Sequence, residues 1–328
     1  SGSILGNAVI RLEDPRILRG EAPYTDDLDA PGALHVVFVR STVAHATITG
    51  IDVADAAAMP GVVAVHTAET LPVADFQGFV MLPPVFNRPS LAKGTVRFVG
   101  DIVAAVVAES RAEAVDAAEM VIVDYEPLPV IVDPEAAMDA DAFEGAEVVV
   151  KARTVSPRLA AAPLEVNAIL AEPTDGGLTV TVPSQGPNSV QRALAPLIGM
   201  EPEQVRVKSP AVGGGFGAKQ GVYPEYLVVC EVAKALQRPV KWVETRSENM
   251  LSMVQGRGQV ATTELGLTRD GRIVGLRGRI IGDGGAYPGL GTFLVFMARQ
   301  MSPGPYAIPK VDVKAYGVAT NTVPMGAY

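Results

Sequence analysis

Short stretches of alternating or unbroken hydrophobic residues are interleaved along this chain with stretches of helical spacing, and glycine or proline punctuates most of the joins. Strands are predicted over 33–40 and 61–67. The uninterrupted apolar run from Val103 to Ala108 reads as a buried strand. A short helix is predicted over 55–59, a longer one over 111–121, and then a strand at 122–125 stopped by Pro127. Between Leu71 and Lys93 prolines multiply and neither periodicity survives, so a long surface or interface loop is expected. These elements make one α+β domain ending near Asp133.

The acidic, alanine-rich stretch from Asp133 to Glu147 reads as a domain boundary. Beyond it, strands are predicted near 147–155, 167–172 and 178–182, with a Gly176-Gly177 turn between the last two. A helix follows over 188–197, with Asn188 as its expected cap. Strands at 205–207 and 239–243 flank a helix at 225–236. Stretches 260–268 and 272–281 form a hairpin across Asp270-Gly271, the strongest short hairpin signal in the chain. Residues 282–291 are glycine-rich, and a last strand is predicted over 311–319.

Composition narrows the function classes. The chain has 328 residues, 48% of them hydrophobic, enough for large cores in two or three domains. No apolar run approaches the ~18 residues of a membrane span. The net charge of −9 is spread rather than blocked, which argues against nucleic-acid binding. A single cysteine, Cys230, excludes an intrachain disulfide and an iron–sulfur cluster ligated by this chain alone. Ser1-Gly2-Ser3 carries neither an initiator Met nor a secretory leader, so a cytoplasmic location is expected.

The densest chemical signal is Gly213-Gly214-Gly215-Phe216-Gly217-Ala218-Lys219, set between a predicted strand and a predicted helix. Consecutive glycines carry a large entropy cost and belong where the main chain twists or approaches another group closely. Such a loop presents backbone N–H groups to an anion. Tight packing alone would also account for it. A dinucleotide site is a further reading, because Gly213-x-Gly215-x-x-Ala218 fits the fingerprint and Glu244 could hold a ribose hydroxyl. Pro210 and the late position of Glu244 weaken that reading. A phosphate-binding P-loop with Lys219 fails because Gln220 stands where Ser or Thr is needed. His35, His45 and His66 lack metal-ligand spacing and read as packing or surface residues. Cys230 reads as a buried, inert thiol. Glu225, Glu231 and Glu244 read as solvated or ion-paired. No catalytic base emerges from the pattern.

A series of landmarks changes the picture. Arg11-Leu12-Glu13-Asp14-Pro15-Arg16, Tyr24-Thr25-Asp26-Asp27, Arg40-Ser41 with Ala44-His45-Ala46, Val96-Arg97-Phe98-Val99-Gly100 and Val123-Asp124-Tyr125-Glu126-Pro127-Leu128-Pro129 precede the glycine loop. Thr320-Asn321-Thr322 with Pro324 follows it. In this order they resemble the N-terminal part of the molybdenum-binding subunit of the xanthine oxidase family, which includes aldehyde oxidases and aerobic carbon monoxide dehydrogenase. The resemblance implies an α/β hammerhead domain over 5–133, a linker over 134–147, and the first part of an α+β molybdenum-cofactor domain over 148–328. The implied cofactor is a molybdenum pyranopterin, expected as molybdopterin cytosine dinucleotide, held through its own sulfurs without a protein ligand to the metal. Gln185, Gly214, Gly215, Phe216, Gly217 and Ala218 match the family's cofactor-contacting positions. Gln220 and Tyr328 match its substrate pocket.

The family pattern implies oxidation of an aldehyde or N-heterocycle with water as the oxygen source. Electrons leave through a 2Fe-2S subunit and an FAD subunit, in an expected dimer of heteromers. The general-base glutamate and an arginine-containing segment lie beyond Tyr328 in the family, so the isolated chain is expected to be inactive and to need a C-terminal remainder, on the same chain or another. Gln220 stands where xanthine-oxidising members carry glutamate, and Leu164-Glu165-Val166 replaces the usual Met-Glu-Pro. The other classes are a nicotinamide-dependent dehydrogenase using Gly213–Ala218, and a non-catalytic assembly subunit.

Overall fold

A computed structural model describes residues 14–28, 30–75, 84–132 and 147–328. The landmark residues Arg11 to Glu13 and nearly all of the expected linker lie outside the described residues. In chain order the elements are α1 (Asp14–Leu18), β1 (Leu34–Arg40), β2 (Ala46–Asp52), α2 (Ala54–Ala57), β3 (Val62–His66), β4 (Thr95–Val96), β5 (Ile102–Ala108), α3 (Arg111–Ala118) and β6 (Ile122–Pro127). Beyond residue 147 come β7 (Val148–Ala160), β8 (Ala168–Thr174), β9 (Gly177–Thr181), α4 (Pro187–Leu197), β10 (Val205–Lys208), α5 (Pro224–Leu236) and β11 (Val240–Val243). They are followed by α6 (Arg246–Ser252), β12 (Gln255–Leu267), β13 (Ile273–Asp283), α7 (Leu290–Gln300) and β14 (Val311–Val318).

Among the described residues, seven strands form one sheet in the order β10-β9-β8-β11-β1-β5-β3. The two halves of the chain therefore share a sheet. They meet where β1 runs parallel to β11, with Leu34 opposite Val240. Without that pairing β1 would present an open edge of unpaired amides. Phe38 and Trp242 meet edge to face across the seam at 5.5 Å, inside one core that also takes in Leu34, Val107, Ile169 and Leu227. Every residue of β5 is buried, which is why its sequence is a continuous apolar run rather than an alternation. α5 is buried along most of its length and packs over β8 and β11.

The other sheets are smaller. β14-β13-β12-β7 form one, β4-β2-β6 another. The hairpin at Asp270-Gly271 is present, with Gly271 at φ 87°. β7 extends five residues past its predicted end and accommodates Pro157 because it is an edge strand. The helix over 187–197 is capped differently from expectation. Gly186 is the N-cap and Pro187 occupies the first turn, where a missing N–H costs nothing, so Asn188 lies inside the helix. β2, α6 and α7 are elements that the hydrophobic pattern did not reveal. For α6 the signal was present as Thr245-x-x-Glu248. The Thr245 hydroxyl accepts from the Glu248 amide, and the Glu248 carboxylate accepts from the Thr245 amide.

Candidate functional site

The glycine loop follows the end of β10 and enters α5 at Pro224. Its two ends are tied to one residue. The Gly213 amide donates to Glu165 Oε2 at 2.7 Å, and the Glu165 amide donates back to the Gly213 carbonyl at 3.1 Å. At the other end, Lys219 Nζ donates to the Glu165 carbonyl at 2.8 Å and to its Oε2 at 3.0 Å. The Lys219 side chain is fully buried, and burial lowers its pKa from the usual lysine range against the opposing pull of Glu165. Lys219 thus faces inward as a structural cation. Glu165, within Leu164-Glu165-Val166, supplies the anchor. The missed signal was Lys219 itself, a lone cation straight after Gly217-Ala218 that needs a partner once buried.

Between these anchors the chain turns sharply. Gly214 has φ 100°, Phe216 φ 51° and Gly217 φ 81°. Left-handed backbone is costly for an aromatic residue, so Phe216 is held there by its surroundings. Its ring stays half exposed and meets Tyr328 edge to face at 6.1 Å. Gln185, just past the end of β9, lies against this turn. Its amide donates to the Lys219 carbonyl at 2.9 Å, and its Oε1 accepts from the amides of Gly217 at 2.9 Å and Lys219 at 3.3 Å. A Cβ on Gly215 would come within 2.6 Å of Gln185 Cδ, so this approach requires glycine.

What this leaves unpaired is informative. Among the described residues, the amides of Gly214, Gly215 and Phe216 donate to no protein acceptor, and neither does Gln185 Nε2. Consecutive free amides in a left-handed turn suit an anionic or oxygen-rich group. Gln185 and Gly214 to Gly217 therefore suit a flat polar cofactor, with glycine at three of the four loop positions, free donors, and a carboxamide whose orientation is set by the loop; Ala218 backs the turn, buried with its amide on the Gly215 carbonyl. Two cavities flank the loop. One of about 840 Å³ is lined by Gly213, Gly214, Phe216, Leu164 and Tyr328. The other, of about 180 Å³, is lined by Gly217, Ala218 and Gln220. Gln220 and Tyr328, grouped together from sequence, thus line different cavities.

Behind the loop lies a charged core. Arg40 pairs with Glu225 and with Glu248, each at 3.0 Å, and its own side chain is 7% exposed. Glu231 pairs with Lys234 at 3.0 Å. Glu244 is a correction to the sequence reading, being neither solvated nor ion-paired. It is buried and accepts from the Asn167 amide at 3.0 Å and Asn249 Nδ2 at 2.7 Å, with the Ser252 hydroxyl at 3.4 Å. Burial pushes its carboxyl up to about 7. With both oxygens turned to protein donors, Glu244 has none to offer a ribose, and the glycines lie beyond an edge strand. The dinucleotide reading loses its support.

The remaining candidates sit apart. His35 is half-buried on β1, and burial lowers its pKa; His45 Nδ1 lies 2.6 Å from the Pro129 carbonyl. His66 also has a lowered pKa from burial, and among the described residues both its ring nitrogens lack partners. Cys230 is fully buried in α5, and burial raises its thiol pKa far above the usual range.

Comparison with known proteins accords with this geometry. Residues 19–129 match the aldehyde oxidase and xanthine dehydrogenase a/b hammerhead domain, and residues 130–328 match the molybdopterin cofactor-binding domain. The large subunit of nicotine 6-hydroxylase from Paenarthrobacter nicotinovorans is 36% identical over 99% of this chain and 44% of its own length. The carbon monoxide dehydrogenase large chain of Hydrogenophaga pseudoflava is 35% identical over 96% of this chain and 44% of its own length. Among solved structures, quinoline 2-oxidoreductase from Pseudomonas putida 86 superposes with a TM-score of 0.87 at 36% identity, covering 98% of this chain and 45% of that one. The chain spans less than half the length of these relatives. With a hammerhead domain leading into a molybdopterin cofactor-binding domain, it belongs to the aldehyde oxidase and xanthine dehydrogenase family of molybdenum-binding subunits.

Proposed function

We propose that this chain forms part of the catalytic subunit of a molybdenum hydroxylase that oxidises an aldehyde or N-heterocycle with water as the oxygen source. The single observation that carries the reading is the Gln185 carboxamide. Its Oε1 is fixed by two loop amides, while among the described residues its Nε2 and three nearby main-chain amides have no acceptor. Gln185 and Gly214 to Ala218 would hold a molybdenum pyranopterin, as the cytosine dinucleotide form. When bound, that cofactor supplies two-electron oxidation at carbon. This chain's part is to orient. Gln185 donates one hydrogen bond in a fixed direction, and the free amides stabilise negative charge. Phe216 and Tyr328 wall one cavity, and Gln220 faces the other.

No residue of this chain is assigned the role of general base. We assign that to a glutamate in a C-terminal remainder, on the same chain or a separate one. Electrons would pass to 2Fe-2S and FAD subunits in a cytoplasmic dimer of heteromers. Among the described residues no helix is long and apolar enough to cross a membrane.

Metal analysis of the purified complex, with mass measurement of the chains that accompany it, tests the reading. Molybdenum near one atom per chain supports it, and its absence favours the non-catalytic assembly role. Gln185→Ala should lower turnover with molybdenum content nearly unchanged and the fold intact, at a cost of about 1–2 kcal/mol for its two loop hydrogen bonds. Wild-type kinetics at full molybdenum occupancy would remove Gln185 from the site.

A further inference from the structure

Arg88 follows the 3-10 turn Pro84–Phe86, inside the proline-rich stretch that the sequence marks only as a loop. The residue is 5% exposed. Its guanidinium carbon lies 5.2 Å from the centre of the Phe98 ring and 5.4 Å from that of Tyr287. Among the described residues its buried Nε has no acceptor, and Arg88 forms no ion pair. A guanidinium keeps its charge throughout the range in which proteins fold, so it cannot escape burial by losing a proton. Ring faces offset only part of that cost.

The surrounding charges leave a positive surplus. The carboxylate that senses Arg88 is Asp101, buried and already engaged. It accepts from the Arg97 amide at 3.2 Å and from the Tyr287 hydroxyl at 3.1 Å. Burial pushes the Asp101 carboxyl above its usual range, ahead of the opposing pull of Arg88 and Arg97. Arg97 also lies over the Tyr287 ring, at 6.0 Å. Two cations thus share one buried carboxylate, whose charged form burial disfavours.

Arg88 lines the 180 Å³ cavity beside Gly217 and Ala218, with Gln220 as a second polar group and Phe86, Tyr223, Tyr287 and Leu290 among the walls. We infer that this cavity is a subsite for a small aromatic molecule bearing a carboxylate, with Arg88 receiving the anionic group. An apolar cavity of about 150 Å³ takes up benzene, so this one has room for a single ring with a small substituent. If the hydroxylase reading holds, as the identification of that molecule with substrate requires, Arg88 selects anionic single-ring substrates over neutral ones.

Benzoate is the probe, and benzamide its neutral counterpart of the same shape. Both are titrated by calorimetry into the wild-type protein, Arg88→Met and Arg88→Lys, each purified with its cofactor and accompanying chains. Benzoate should bind the wild type and weaken roughly 10- to 100-fold in Arg88→Met, the loss expected for one hydrogen bond to a charged group. Benzamide should change far less, and Arg88→Lys should retain part of the benzoate affinity. Should Arg88→Met unfold on melting, Arg88→Lys carries the comparison, with benzoate weakened and benzamide unmoved. Benzoate that ignores the wild type, or binds either variant as tightly as the wild type, overturns the subsite. Because binding is read without turnover, protein that takes benzoate through Arg88 yet carries no molybdenum refutes the hydroxylase reading alone. Molybdenum-loaded protein indifferent to benzoate refutes the subsite alone.

Discussion

Gly215→Ala isolates the contact on which the site geometry rests. Gly215 does not occupy left-handed backbone, so an added methyl meets no conformational penalty of its own, and the three atoms nearest to it all belong to the Gln185 side chain. The methyl would sit 2.6 Å from Cγ, Cδ and Oε1 of Gln185, roughly 0.8 Å inside ordinary contact. Gln185 must retreat, and its Oε1 then loses the amides of Gly217 and Lys219. Gln185 is exposed, so water can reach the released groups. At about 1 kcal/mol for each net hydrogen bond, folding stability should fall by about 1–2 kcal/mol. Turnover should suffer more. A misplacement approaching 1 Å costs on the order of a hundredfold when a group acts by orientation, so kcat should fall by ~10- to 100-fold with KM nearly unchanged. Gly221→Ala in the same loop meets nothing within 4 Å and serves as the control for folding stability. The assay is steady-state kinetics at measured molybdenum occupancy, repeated in a Gln185→Ala background. There, Gly215→Ala should add little, because the group it displaces is gone. An undiminished cost in that background would mean that the methyl acts elsewhere, and the claim that Gln185 is the oriented group would fail.

Two further predictions concern the charged core behind the loop. Glu244 has a folded-state pKa near 7 against an ordinary value of 4.5, so the native state binds more protons than the unfolded state between those values. Stability should therefore fall as pH rises from 4.5 to about 7, by up to ~3 kcal/mol from this one group. Urea titrations at pH 5, 6 and 8 should show Glu244→Gln flattening that slope, and an unchanged slope would refute the assignment. Lys219→Met removes the cation from a pair whose lysine side chain is 0% exposed and whose glutamate is 12% exposed. Denaturant unfolding should record a loss of about 3 kcal/mol, partly recovered when Glu165→Gln is added. A single variant as stable as the wild type would show that Glu165 does not need Lys219.

The elements that the sequence announced are those whose burial pattern matches a simple period. β5 is covered on both faces and reads as an apolar run; the β12–β13 hairpin carries Asp270-Gly271 at its turn. The elements that escaped notice have mixed surroundings. β2 is mostly half-buried, and α7 exposes Phe293 and Phe296, so neither presents a clean stripe. Pairing between β1 and β11 could not be read from either strand, because it joins residues some 200 positions apart through main-chain bonds that any side chains allow.

The site divides along the same line. Gly213 to Gly217 was visible because glycine marks a conformational demand that few other residues meet. The residues that give the loop its shape carry no such mark. Glu165 and Lys219 are ordinary charged residues until burial makes each necessary to the other, and Gln185 matters only because Gly215 lets it approach. Arg88 is the extreme case. Nothing in its neighbouring sequence distinguishes it from a solvated arginine, and its meaning comes from Phe98 and Asp101, a short way along the chain, and from Tyr287, supplied by a distant segment. Chemistry in this fold thus resides in pairs, one member conspicuous in sequence and the other defined by what surrounds it, so substitutions aimed only at the glycine loop would leave half of the site untested.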